Sequence, residues 1–78
     1  MNNVILDRII VDPTVMIGKP IIKGTRLTVQ HILGLLAQGM TTEDIIKEYR
    51  HIKAEDILAC LMFAQKTVDN TFFAPLAS

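Results

Sequence analysis

Ile17-Gly18-Lys19-Pro20-Ile21-Ile22-Lys23-Gly24-Thr25-Arg26-Leu27-Thr28-Val29 is the stretch on which the fold turns. Gly18 can adopt a positive φ that a residue with a Cβ reaches only at a cost, so it can reverse the chain after Met16 and Ile17. Pro20 biases Lys19 toward extended geometry, and the β-branched pair Ile21-Ile22 reads as a short strand. Gly24-Thr25 supplies a second turn, after which the Thr28 hydroxyl can cap a helix beginning at Val29. Two reversals so close together make a compact knot between a β-rich N-terminus and a helical remainder.

Working outward, Val4 to Val11 is rich in β-branched residues and predicts a strand, ended by Asp12-Pro13 because proline has no N–H for a ladder. Its possible mates are Met16-Ile17, Ile21-Ile22, or the same strand of a second copy. Toward the C-terminus, Val29, Ile32, Leu33 and Leu36 repeat at i, i+3, i+4, i+7, which predicts a helix over about 29–38, closed by Gly39 in a left-handed cap. Thr41 and Asp44 have capping-box spacing ahead of a second helix, about 42–49, whose apolar side is Ile45, Ile46 and Tyr49. Ile52 then packs inward as a staple for a third helix over about 54–68, with Glu55 and Asp56 at the positive end of its dipole. Ile57, Leu61, Ala64 and Val68 form one stripe of that helix. Residues 69–78 form a tail with Phe72, Phe73 and Leu76, in which Pro75 argues against a continuing helix. The expected architecture is mainly α: a single domain over 1–78, with a β element at about 4–28 leading into three helices in a helix-turn-helix, homeodomain-like bundle.

Seventy-eight residues, half of them apolar, form one small domain. A domain of this size buries only about 60% of its unfolded surface, while mean hydropathy is +0.36. An apolar surface covered by a second copy or another protein is implied, and a homodimer is expected. Eight basic and eight acidic side chains leave no net charge, so attraction to a polyanion would have to come from local placement. The lone Cys60 cannot form an internal disulfide. There is no basic leader followed by a long apolar core and no run of about 18–20 apolar residues, so a cytoplasmic protein without a membrane span is expected.

Four groups of residues are candidates for function. Lys19, Lys23 and Arg26 around Gly18 and Gly24 could cradle a phosphate, but the lysine of a Walker loop follows the last glycine, and here none does. The preferred reading is structural: Gly18, Pro20, Gly24 and Thr25 shape the turns, and Arg26 bonds a carboxylate such as Asp12. Around the turn before the third helix, Lys47, Arg50, His51 and Lys53 could contact DNA phosphates, against which Glu55 and Asp56 sit where that helix would approach an anion. His31 and His51 have no nucleophile at a suitable spacing, and Glu55 and Asp56 point about 100° apart on a helix. Two isolated histidines and one cysteine lack metal-ligand spacing. Binding rather than catalysis is expected, without metal or cofactor. Finally, Met62, Phe63, Phe72, Phe73 and Leu76 exceed what so small a core absorbs, and are assigned to a dimer or partner interface.

The order and spacing of Asp12-Pro13, Gly18-Lys19-Pro20-Ile21-Ile22-Lys23-Gly24-Thr25-Arg26-Leu27-Thr28-Val29, Gly39, Thr42-Glu43-Asp44-Ile45, Tyr49 and Glu55-Asp56-Ile57 resemble the bacterial family catalogued as domain of unknown function 433. The resemblance runs from about Ile9 to Lys66. It departs at Arg50, where proline is usual, and at Lys53, where serine or threonine usually caps the third helix; a missing cap costs about 0.5–2 kcal/mol. The resemblance implies antitoxin-like, VapB-type proteins with a helix-turn-helix core, a nuclease-like toxin as partner and an operator as DNA target. On that expectation the chain neutralises its toxin by direct binding and represses its own operon as a dimer. The alternative is a homodimeric interaction module that does not touch DNA.

Overall fold

The computed structural model describes residues 5–69. Val4 and the aromatic tail with Phe72, Phe73 and Leu76 lie outside the described residues. The architecture is mainly helical, three helices preceded by a two-stranded antiparallel sheet.

The first strand is shorter than its composition predicts. Leu6–Arg8 is a 3-10 turn, and β1 is confined to Ile9–Val11. The turn carries Arg8 across to Asp56 of the third helix, where Nη1 lies 3.0 Å from Oδ1. This charge-assisted contact outweighs β-propensity, which depends strongly on surroundings. β2, Pro20–Ile22, pairs antiparallel with β1 in the register Ile9 with Ile22, Ile10 with Ile21 and Val11 with Pro20. Ile21-Ile22 is therefore the mate chosen from the three that the sequence allows, and Pro20 sits at the end of the ladder, where its missing N–H is tolerated.

Between the strands the reversal spreads over three residues, because Met16, Ile17 and Gly18 all have positive φ, at 51°, 57° and 75°. Left-handed geometry costs a residue with a Cβ roughly 1–2 kcal/mol, and Ile17 adopts it while 94% exposed. Asp12 is not the partner of Arg26. Its Oδ1 accepts from the Thr14 hydroxyl at 2.7 Å and the Thr14 N–H at 2.9 Å, which hold its pKa below the ordinary value. Arg26 is exposed, and the ion pair joining the N-terminal region to a helix is Arg8–Asp56.

α1, Val29–Ala37, begins where Thr28 Oγ1 accepts the His31 N–H at 2.9 Å. It ends in a Schellman motif: the N–H of Gly39, at φ 101°, donates to Leu36 O at 3.0 Å, and that of Met40 to Leu35 O at 3.1 Å. α2, Thr42–Glu48, opens with the expected capping box, in which Thr41 Oγ1 accepts from Asp44 N–H and Asp44 Oδ2 from Thr41 N–H, both at 3.1 Å. α3 spans Ala54–Asp69. It lacks a capping side chain at Lys53, yet Asp56 Oδ2 accepts the Lys53 N–H at 2.9 Å. Half of a capping box thus survives, and the start of α3 is held from inside the helix.

The core is dominated by isoleucine: Ile22, Val29, Ile32, Ile45, Ile52, Ile57 and Cys60 form one buried cluster. Ile52 and Ile57 occupy the two staple positions of α3 within it. The buried arc of α3 is rotated from the expected stripe. Asp56, Ile57, Ala59 and Cys60 are buried, while Leu61 and Val68 are exposed. Two neighbours cause the rotation, since α3 packs on α1 and α2 and also on β1 and the Leu6–Arg8 turn, with Arg8 making an inward Asp56 tolerable.

Candidate interaction surfaces

Helix propensity and capping place α3 firmly, and packing on two sides leaves its remaining face bare. Leu58 is 47%, Leu61 46% and Val68 68% exposed. Leu58, Leu61 and Val68 fall on one side of a helix at 3.6 residues per turn, with Gln65 between them. The apolar excess expected of this helix is present, but on other residues. Phe63 is half-buried and packs against the core cluster, and Met62 is half-buried. Bulk and aromaticity suggest Met62 and Phe63 as the outward pair, whereas the arc that meets Arg8 decides which side chains turn out. Leu58, Leu61 and Val68 are legible in the sequence only as three of too many apolar residues.

Beside this face lies a groove of about 390 Å³, lined by Pro20 of β2, Val29 and Leu33 of α1, and Phe63, Ala64 and Val68 of α3, among others. Lys19 and Gln30 also line it. Pro20 and Lys19 stand there because the second half of the decisive stretch runs back alongside the start of α1, where Thr28 pairs with Ile21.

Lys47, Arg50, His51 and Lys53 are all exposed, on α2 and on the connection to α3. They share that end of the molecule with exposed Glu43, Asp44, Glu48 and Glu55, so the region carries no excess of positive charge. Asp56, by contrast, is 7% exposed and neutralised by Arg8, which leaves Glu55 as the free carboxylate in the first turn of α3.

The remaining candidates have structural partners. Thr25 Oγ1 donates to Ile22 O at 2.8 Å and accepts the Leu27 N–H at 2.9 Å, so it closes the turn at Gly24. His31 Nε2 lies 3.0 Å from the Tyr49 hydroxyl, with the rings edge to face at 6.0 Å between centroids. This contact ties α1 to the end of α2, and no spacing rule points to it. Cys60 is buried, and burial first, then the Asp56 charge, pushes its thiol pKa up to about 12. A thiol so held is a poor nucleophile. Among the described residues no three His, Cys, Asp or Glu side chains converge as a metal site, and no helix is long and apolar enough to cross a membrane.

The family described as "Protein of unknown function (DUF433)" matches residues 9–64, which include both strands, α1, α2 and most of α3. The chain belongs to the DUF433 family. Its fold is similar to the crystal structure of a DUF433 member protein from Anabaena variabilis ATCC 29413, with a TM-score of 0.75 at 24% identity over 80% of this chain. The match spans 61% of that protein's length. No curated protein matches the chain. The DUF433 match stops at Ala64, so Val68, which lines the groove, and the aromatic segment after it lie beyond the matched region.

Proposed function

We propose that this DUF433 protein works by holding another protein, as the antitoxin of a toxin–antitoxin pair in bacteria. Two copies associate through the bare face of α3, and the dimer engages a nuclease-like toxin through α3 and the aromatic tail. The carrying observation is the exposure of Leu58, Leu61 and Val68 on a helix whose other sides are already packed. Water contact at such a stripe is unfavourable by about 25 cal/mol per Å² of apolar surface left uncovered. The antitoxin identity itself rests on the sequence resemblance.

The test has two arms. Leu58→Asp with Leu61→Asp converts the face to a charged one at positions outside the core, so helix content should persist while sedimentation shows monomers in place of dimers. Co-expression with the product of the adjacent reading frame should rescue growth for the unaltered chain and fail for the variant. A well-behaved monomer of the unaltered chain at high micromolar concentration would remove the dimer.

Operator binding is the second reading, favoured by the exposure of Lys47, Arg50, His51 and Lys53 around the connection from α2 to α3, which on this reading is the turn of a helix-turn-helix. The neighbouring carboxylates limit it to a few phosphate contacts per copy. Affinity for the chain's own upstream DNA should then fall steeply with salt, and Lys47→Ala with Arg50→Ala should flatten that slope by about 0.9 per phosphate contact removed. An interaction module without a DNA role would show no binding at low salt.

A further inference from the structure

We propose that the apolar groove between α1, β2 and the second half of α3 receives Ile17 of a second copy, so that two chains exchange their Ile17 side chains across one twofold axis. The inference rests on the dimer proposed above and names a second contact for it. A stable interface takes about 800 Å² from each partner, and the stripe of Leu58, Leu61 and Val68 offers three side chains, too few to supply it. Val68 also lines the groove, which makes the groove the continuation of that stripe. Val29, Leu33 and Phe63 give it apolar walls, with Lys19 and Pro20 at one side. Its volume of about 390 Å³ lies at the small end of formed pockets and suits side chains from a turn rather than a whole helix.

Ile17 is the knob for this hole. It lies on the reversal between the strands at φ 57°, beside Met16 at φ 51°, and both take a left-handed geometry that glycine or asparagine holds at less steric cost. Burial within the copy does not offset that cost, since Ile17 is 94% and Met16 43% exposed. What isoleucine adds there is an apolar side chain held out in water. Ile17 is two residues from Lys19 of the groove, no more than about 7 Å along the chain, so knob and groove are neighbours on the surface. Such a surface is self-complementary: a twofold axis between knob and groove seats each copy's Ile17 in the other's groove and closes the pair. Eight acidic and eight basic side chains leave no net charge to hold two copies apart. With both halves of the contact on one chain, a second copy is the occupant the groove fits.

Ile17→Asn tests the contact, because asparagine keeps the turn and the fold of the single copy while removing the knob. Sedimentation equilibrium should show the dimer Kd raised on the order of 100-fold, since each dimer loses the burial of two isoleucine side chains. Isotope-filtered NMR on mixed labelled and unlabelled parent chains should give cross-peaks from the Ile17 methyls of one copy to the Leu33 methyls and Phe63 ring of the other, fading on dilution. An Ile17→Asn dimer with unchanged Kd would overturn the proposal. So would Leu33 and Phe63 resonances that do not move on dilution, which would leave the groove to a different occupant. The two readings fail separately. A dimer that Leu58→Asp with Leu61→Asp dissociates and Ile17→Asn leaves intact removes the groove contact alone, whereas a monomeric parent chain removes the dimer and this contact together.

Discussion

Asp56→Ala is the substitution that most directly probes how α3 is set in place. The carboxylate accepts from Arg8 Nη1 at 3.0 Å and from the Lys53 N–H at 2.9 Å. A hydrogen bond to a charged group contributes about 1.5–3 kcal/mol, and the lower end applies because the Arg8 side chain is 36% exposed and regains water when freed. Losing the reciprocal half of a cap removes about 0.5–2 kcal/mol. Alanine returns roughly 0.5 kcal/mol through its better helix propensity. The net expectation is a loss of about 1.5–3 kcal/mol, out of a total of roughly 4–12 kcal/mol for a domain of this length. Thermal unfolding followed by circular dichroism should drop by roughly 10–20 °C. Arg8→Ala should also destabilise, because it leaves a buried carboxylate with only one donor. The double variant should then be less damaged than the two single losses added, with a coupling of about 1 kcal/mol or more in urea titrations. Strict additivity, or an Asp56→Ala protein melting with the parent, would refute the claim that this pair turns α3 to present Leu58 and Leu61.

Three further outcomes are expected. Thr41→Ala should lower the melting temperature at neutral pH by about 4–8 °C, and the deficit should shrink in acid. The backbone bond from residue 41, which alanine keeps, and the side-chain bond, which it loses, both lower the Asp44 pKa, so the share lost with the hydroxyl is present above the ordinary carboxylate value and disappears as pH falls through the lowered folded one. Cys60 should resist alkylation at pH 8 until urea is added. Because folding raises its pKa to about 12, the folded state should also lose stability as pH rises from about 8.5, the ordinary thiol value, toward 12, a loss that Cys60→Ala removes when the alkaline limbs of the urea midpoints are compared. Gly39→Ala, at φ 101°, should cost about 1–2 kcal/mol, whereas Ile17→Asn should stabilise by up to about 1 kcal/mol by relieving left-handed geometry at an exposed site; urea midpoints measure both.

Signals confined to a few neighbouring residues are legible in the sequence. The turn at Gly24, the Thr28 cap, the Schellman end at Gly39, the Thr41–Asp44 box and the inward Ile52 all depend on groups within about five positions of one another, so short-range chemistry is enough to place each. Pairings across the chain are not legible in this way. Nothing in composition tells Arg8 and Asp56 that they will meet, so the N-terminus reads as a continuous strand and Arg26 reads as the tether that Arg8 in fact is. The same pair explains the misassigned outward residues. The apolar stripe of α3 places Leu61 inward and leaves Asp56 out of it, but with Asp56 turned in against Arg8 the helix is rotated, and Leu61 faces out beside Leu58. Counting apolar residues finds the excess on α3 but not its address, because the address depends on an ion pair whose partners lie 48 positions apart in the sequence. The bare face of α3 is therefore a consequence of how the N-terminus closes over the helix, and any change that frees Arg8 should disturb the proposed association at a distance from Leu58 and Leu61.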